Sequence, residues 1–255
     1  MTEEDKIEIT PTSDEFVLFD DISRLAHRLW DKTLAISGRN TDPKIHSAVL
    51  FKRLWSNHRG YTILWNHSFQ LESDIVLRSA LEAAICLSAI AELKEEFVLL
   101  MKRDAAFTLQ GQIKTHRDND EKEMVREGEQ VLRLLQSGLP EGVKAAKLDW
   151  KQLAAKGKAP RLYDWHKDLS GISSHVTGLS VIGEFEGEGL DKQPEELRKL
   201  KRKMHLMMMA GATLQGSMRH AGMIGDKDEL EAARVLVERM NALSWGWRSV
   251  EQPGP

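Results

Sequence analysis

Apolar positions along this chain recur at helical intervals and nowhere alternate for long, so the pattern reads as a succession of amphipathic helices. Leu18, Ile22, Leu25 and Leu29 form one stripe, with Thr12 and Glu15 spaced as a capping box before it and Gly38 as its stop. Asp42-Pro43 is a cap followed by a proline in the first turn, which opens a second helix through Val49, Leu50 and Leu54 to a break near Gly60. A third helix is predicted from about Tyr61 to about Phe97. The stretch from Leu99 to Gln112 either extends it or begins another.

Residues 118–120 read as a turn, followed by a helix through Met124, Val131, Leu134 and Leu135 that ends at Gly138. Small residues dominate from there to Pro160, with room for one short helix around residues 150–156. Pro160 then opens a helix carrying Tyr163, His166, Ser170 and His175, and residues 183–189 form an acidic, glycine-rich loop. Pro194, Glu195 and Glu196 start a long helix through Leu206, Met209 and Leu214 to Gly225. Asp226 and Glu229 are spaced as a second capping box for a last helix reaching about Trp247. No repeat and no run of strands is visible. The expected class is all-α, a multi-helix bundle of about seven or eight helices without significant sheet. It forms one domain over residues 12–248, with short tails at 1–11 and 249–255.

The third helix carries the candidate chemistry. Asn66, Gln70, Asp74, Arg78 and Glu82 follow one another at i,i+4 spacing, so they stack on one face. The rest of that helix is apolar or small, through Leu71, Ile75, Val76, Leu77, Ala80, Leu81, Ala84, Ile85 and Leu87. A charged ladder on such a helix pairs with itself, meets partner groups or faces a cleft. Read as structure, it is an internal ion-pair ladder. Read as a site, Arg78 presents its guanidinium fork to a phosphate or carboxylate while Asp74 and Glu82 hold it.

Composition narrows the rest. Apolar residues make up 41% and charged residues 29% of 255, ordinary for a globular protein. The net charge of −3 gives no global reason to expect nucleic acid. The one cysteine, Cys86, lies in the apolar run and reads as a small core residue, so no intrachain disulfide and no multi-cysteine metal site is expected. The acidic, polar start is unlike a signal peptide, and no apolar run reaches the ~18 residues a spanning helix needs. A cytoplasmic location and no membrane partner are the expectation.

Leu77-Arg78-Ser79-Ala80-Leu81-Glu82 follows a helix containing His46 and Leu50, and Tyr163, Leu169-Ser170 and His175 come later. In these features the chain resembles an uncharacterised bacterial family of all-helical proteins. Its marks are an Arg-x-x-x-Glu core helix and a downstream Tyr/Leu-Ser/His helix. The resemblance spans residues 46–175. It implies an α-helical fold and groups Arg78, Glu82, Ser170 and His175 as one site, without implying an activity.

The candidate ligand-binding residues are therefore Asp74, Arg78, Glu82, Tyr163, Ser170 and His175. As a bland alternative, His175 is a buried histidine satisfied by Ser170, Ser173 and Ser174. As a chemical one, Arg78 and His175 are the catalytic pair of a metal-independent nuclease. An arginine and a histidine are also the minimal kit of the HEPN ribonucleases, in which histidine activates the 2′-hydroxyl and arginine stabilises the scissile phosphate. Their signature is Arg-x4–6-His on one helix with a polar residue after the arginine. Arg53 to His58 and Arg161 to His166 have the spacing, but both carry Leu in the polar position.

Other chemistries are poorly served. The nine histidines form no His-x-x-x-His pair, so no metal is expected, and neither a phosphate loop nor a nucleophile elbow is present. No cofactor is expected. The basic run Arg198, Lys199, Lys201, Arg202, Lys203 reads as a solvated face or, alternatively, as a patch for nucleic acid or an anionic surface. Met204, Met207, Met208 and Met209 lead into Gly211, Gly216 and Gly222, a stripe suited to core packing or, alternatively, to a homodimer through residues 204–222. The best reading is a helical protein binding a small anion or a protein partner through the polar stripe; nuclease action by Arg78 and His175 is the alternative.

Overall fold

The computed structural model describes residues 10–171 and 195–243, and nine α-helices with no strand occupy them. In chain order these are α1 (Ser13–Thr33), α2 (Pro43–Asn66), α3 (Gln70–Leu93), α4 (Glu95–Asp118), α5 (Lys122–Ser137), α6 (Trp150–Lys156), α7 (Pro160–Ser170), α8 (Glu195–Ile224) and α9 (Lys227–Ala242). The fold is all-α. His175, Ser173, Ser174, the 183–189 loop, Trp245 and Trp247 lie outside the described residues.

Local signals start most of these helices. Thr12 Oγ1 accepts from the Glu15 amide at 3.2 Å and Glu15 returns the bond to the Thr12 amide at 2.8 Å, closing a capping box. Asp42, Asp149 and Asp226 each accept a backbone amide of the helix they precede. Pro43 and Pro160 sit in first turns, where a missing N–H costs nothing.

Three boundaries differ from the expectation. α2 runs straight through Gly60 to Asn66, so Asn66 does not belong to the helix of the charged stripe. α3 then ends at Leu93, and α4 starts two residues later. The chain turns at Ser68 (φ 62°) and Lys94 (φ 52°), residues that adopt the left-handed region without being glycine. α1 stops at Thr33, short of Gly38.

α3 and α8 form the centre. α2 and α8 pack on α3, α1 and α9 pack on α8, and α6 with α7 cover a further flank of α3. Leu18, Ile22, Leu25 and Leu29 of α1 meet Phe51 and Leu54 of α2 and Leu77, Leu81, Ile85 and Leu87 of α3 in one core, all fully buried. Met207, Met208 and Met209 are buried in the same core. The small residues of α8 admit side chains of this chain: a Cβ on Gly216 would stand 2.2 Å from Leu54 and one on Gly211 3.2 Å from Trp165. Among the described residues no helix is long and apolar enough to cross a membrane. Cys86 is buried, and that burial pushes its thiol up to about 12, leaving it inert.

Two buried histidines tie the central helices. His220 Nε2 meets Thr33 Oγ1 at 2.9 Å and its Nδ1 meets Ser47 Oγ at 2.8 Å. Thr33 spends its proton on the Leu29 carbonyl, so it accepts from His220 Nε2–H and Ser47 donates to Nδ1. His58 repeats the device between Ser23, which donates to Phe19, and Thr213. Both rings stack on phenylalanines, Phe51 and Phe19. Both are held neutral, since burial pushes each down to about 4.

Candidate functional site

The charged stripe of α3 divides between two partners. Asp74 is buried and faces α8, where its Oδ1 meets His205 Nδ1 at 2.6 Å and accepts from Gln70 Nε2 at 2.9 Å. The expected grip of Asp74 on Arg78 is replaced by this buried contact with α8. Arg78 instead pairs with Glu82, one turn on, at 3.3 Å, and both side chains keep about a quarter of their surface in solvent.

Glu82 has a second partner. His166, from α7, places Nε2 3.1 Å from Glu82 Oε1, and its side chain is only 7% exposed. Burial pushes the Glu82 carboxyl up, but the hydrogen bond from His166 and the charges of Arg78 and Arg53 outweigh it and hold it below the usual carboxylate range. An ionised carboxylate only accepts, so Nε2 carries the proton. The other nitrogen, Nδ1, is buried without a hydrogen-bond partner, and so is Arg78 Nε.

His166 lines a pocket of about 210 Å³ together with Asp149, Trp150, Lys151, Tyr163, Lys167 and Ser170. The Trp150 and Tyr163 rings lie 5.5 and 6.3 Å from the imidazole. Pro160 starts α7 so that Tyr163, His166, Lys167 and Ser170, at i, i+3, i+4 and i+7, share one face. Ser170 donates to the His166 carbonyl at 2.7 Å, a bond internal to the helix.

The structure thus brings Arg78, Glu82, Tyr163 and Ser170 into one neighbourhood, sends Asp74 elsewhere, and supplies His166 as the histidine within the described residues. In the sequence, His166 shares the Pro160 helix with Tyr163 and Ser170 and has the Arg161 spacing, and neither signal singles it out as the histidine of the site. The basic run is not a uniform solvated face. Lys203 is buried against Glu15 at 3.2 Å, and Arg202 lies 4.6 Å over the Trp65 ring and donates to the Trp65 carbonyl. Arg198 and Lys199 are exposed, Lys199 pairing with Glu195 at 2.6 Å, and these two fit the surface description.

No family model, curated protein or solved structure matches the chain. The site therefore rests on its geometry.

Proposed function

We propose that this protein binds a small anionic ligand in the pocket over the Glu82–His166 pair. The observation that carries the reading is the unpaired Nδ1 of His166, a buried polar atom whose ring is already fixed through its other nitrogen. Leaving such an atom without a partner costs about 1–3 kcal/mol, which a ligand group recovers. With Glu82 balancing the charge of an imidazolium, Nδ1–H donates to an anion, and Lys151 and Lys167 at the pocket rim add positive potential. Arg78, paired with the same Glu82 oxygen, fixes the carboxylate that fixes the ring.

Calorimetric titration with inorganic phosphate tests the reading. Saturable binding in the wild type that disappears in a folded His166→Ala variant is expected. Equal heats in both proteins would discard the site.

A second reading uses the same residues as an enzyme. In it, an imidazole held through Nε2 by a carboxylate offers Nδ1 as a general base, the arrangement needed to take a proton from a 2′-hydroxyl, with Arg78 nearby for phosphate charge. The oriented ring favours it. His175, expected in that role, lies outside the described residues.

A further inference from the structure

The surface around α6 has a charge unlike that of the whole chain. Between residues 143 and 168 the sequence holds Lys144, Lys147, Lys151, Lys156, Lys158, Arg161 and Lys167 against Asp149, Asp164 and Asp168, in a protein of net charge −3. The structure sorts these cations. Lys156 and Lys158 are spent on Glu96 and Glu92 at 2.8 and 2.7 Å. Lys144, Lys147, Lys151 and Lys167 are exposed and make no ion pair among the described residues. Two nearby carboxylates are occupied with backbone: Asp149 caps α6 and Asp104 accepts the Leu148 amide at 2.8 Å. Glu141, Asp164 and Asp168 are exposed as well, so the positive character of this edge lies in the four lysines themselves and not in an uncompensated surface.

Three cavities follow this lysine strip. The first, about 570 Å³, is lined in part by Lys144, and the second, about 210 Å³, by Arg103 and Lys147. The third is the His166 pocket, which shares Asp149 with the second and carries Lys151 and Lys167. Aromatic rings stand only at this last end, where Trp150 and Tyr163 accompany the imidazole. A row of cations ending at aromatic rings suits a flexible polyanion with stacking groups. Phosphates track the cations and a base reaches the rings.

We propose that the α6–α7 edge seats a single-stranded nucleic acid, its phosphates following Lys144, Lys147, Lys151 and Lys167 and one nucleotide entering the pocket at Trp150 and Tyr163. Lys144 and Lys147 stand apart from the reading above; Lys151, Lys167 and the terminal nucleotide rest on the pocket it describes. A duplex is a poorer fit, because its bases are stacked away from side-chain rings. An acidic polypeptide would satisfy the lysines but leave the rings unused.

Fluorescence anisotropy with a labelled single-stranded oligoribonucleotide, its DNA counterpart, a duplex and poly-glutamate decides the matter. Binding to the single strands is expected, with log K falling against log salt at a slope of roughly −3, the value for four phosphates neutralised. Lys147→Glu with Lys151→Glu should weaken binding roughly tenfold or more and flatten that slope. Lys114→Glu with Lys122→Glu, the same charge change on exposed positions of α4 and α5, should leave affinity within about twofold, as expected for cations outside the contact. No binding at low salt, equal losses in the two double variants, or tighter binding of poly-glutamate or duplex each overturns the proposal. Retained oligonucleotide binding in His166→Ala, with phosphate binding lost, would keep the strip and remove only the pocket nucleotide. Retained phosphate binding beside a failed oligonucleotide titration would sink the strip alone.

Discussion

Glu82 and His166, 84 positions apart, meet at 3.1 Å across the junction of α3 and α7, and this contact links the stripe on the central helix to the pocket on the surface. Glu82 accepts from two donors at once, Arg78 along its own helix and the imidazole Nε2–H across the interface. Its removal should therefore cost more than removal of either partner. Glu82→Ala strands Arg78 and His166 together and should lower stability by about 3 kcal/mol, whereas Arg78→Ala, which leaves the His166 contact and removes a partly solvated pair, should cost about 1 kcal/mol. Urea unfolding measures both. Replacing Arg78 and Glu82 together by leucine should not restore stability, since His166 Nε2 then loses its acceptor as well.

The two neutral histidines make a pH prediction with a definite sign. An unfolded histidine titrates near 6.5, and His58 and His220 are pushed down to about 4 in the folded protein. The unfolded state thus binds protons first, so this stability is complete above pH ~6.5 and is lost as pH falls to about 4. The loss should approach 3 kcal/mol per histidine, at 1.36 kcal/mol per unit. His220→Gln should flatten the profile in that window. Glu229 and Asp226, held below the usual range against the pull of burial by Lys32 and, for Glu229, Arg28, contribute losses only at lower pH. A urea midpoint unchanged between pH 7 and 4.5 would contradict the neutral assignment.

Glycine substitutions should split by place. A Cβ on Gly157 would stand 2.7 Å from the Ala89 nitrogen and 2.9 Å from the Ser88 carbonyl carbon, both backbone of α3. Gly157→Ala should destabilise by about 3 kcal/mol, because neither helix can yield without moving the other. At Gly111, inside α4, an added Cβ meets nothing within 4 Å. Gly111→Ala should stabilise by about 0.5–1 kcal/mol through helix propensity alone. Thermal denaturation of the two variants should shift in opposite directions.

Legibility followed the range of the interactions. Thr12 with Glu15, Asp42 with Pro43, and Pro160 act within one turn, so their spacing in the sequence foretells the helix starts. The turns at Ser68 and Lys94 carry no glycine or proline, while Gly60, which reads as a breaker, lies inside α2. That is why one helix was expected where α2 and α3 meet and why the start of α4 was hidden. The site divides the same way. An i,i+4 ladder shows that Arg78 and Glu82 adjoin, but the partners of Asp74 and Glu82 come from α8 and α7, which no local spacing reveals. His166 shares a helix with Tyr163 and Ser170 in the sequence, but its pairing with Glu82 is not visible there.

The most direct test of the pocket reading is nitrogen NMR of the His166 ring during titration with inorganic phosphate. The account predicts that Nε2 stays protonated and bonded to Glu82 while the Nδ1 resonance moves saturably, because Nδ1 is the ring nitrogen without a partner. A Nδ1 resonance that stays still while phosphate shifts signals elsewhere would contradict it.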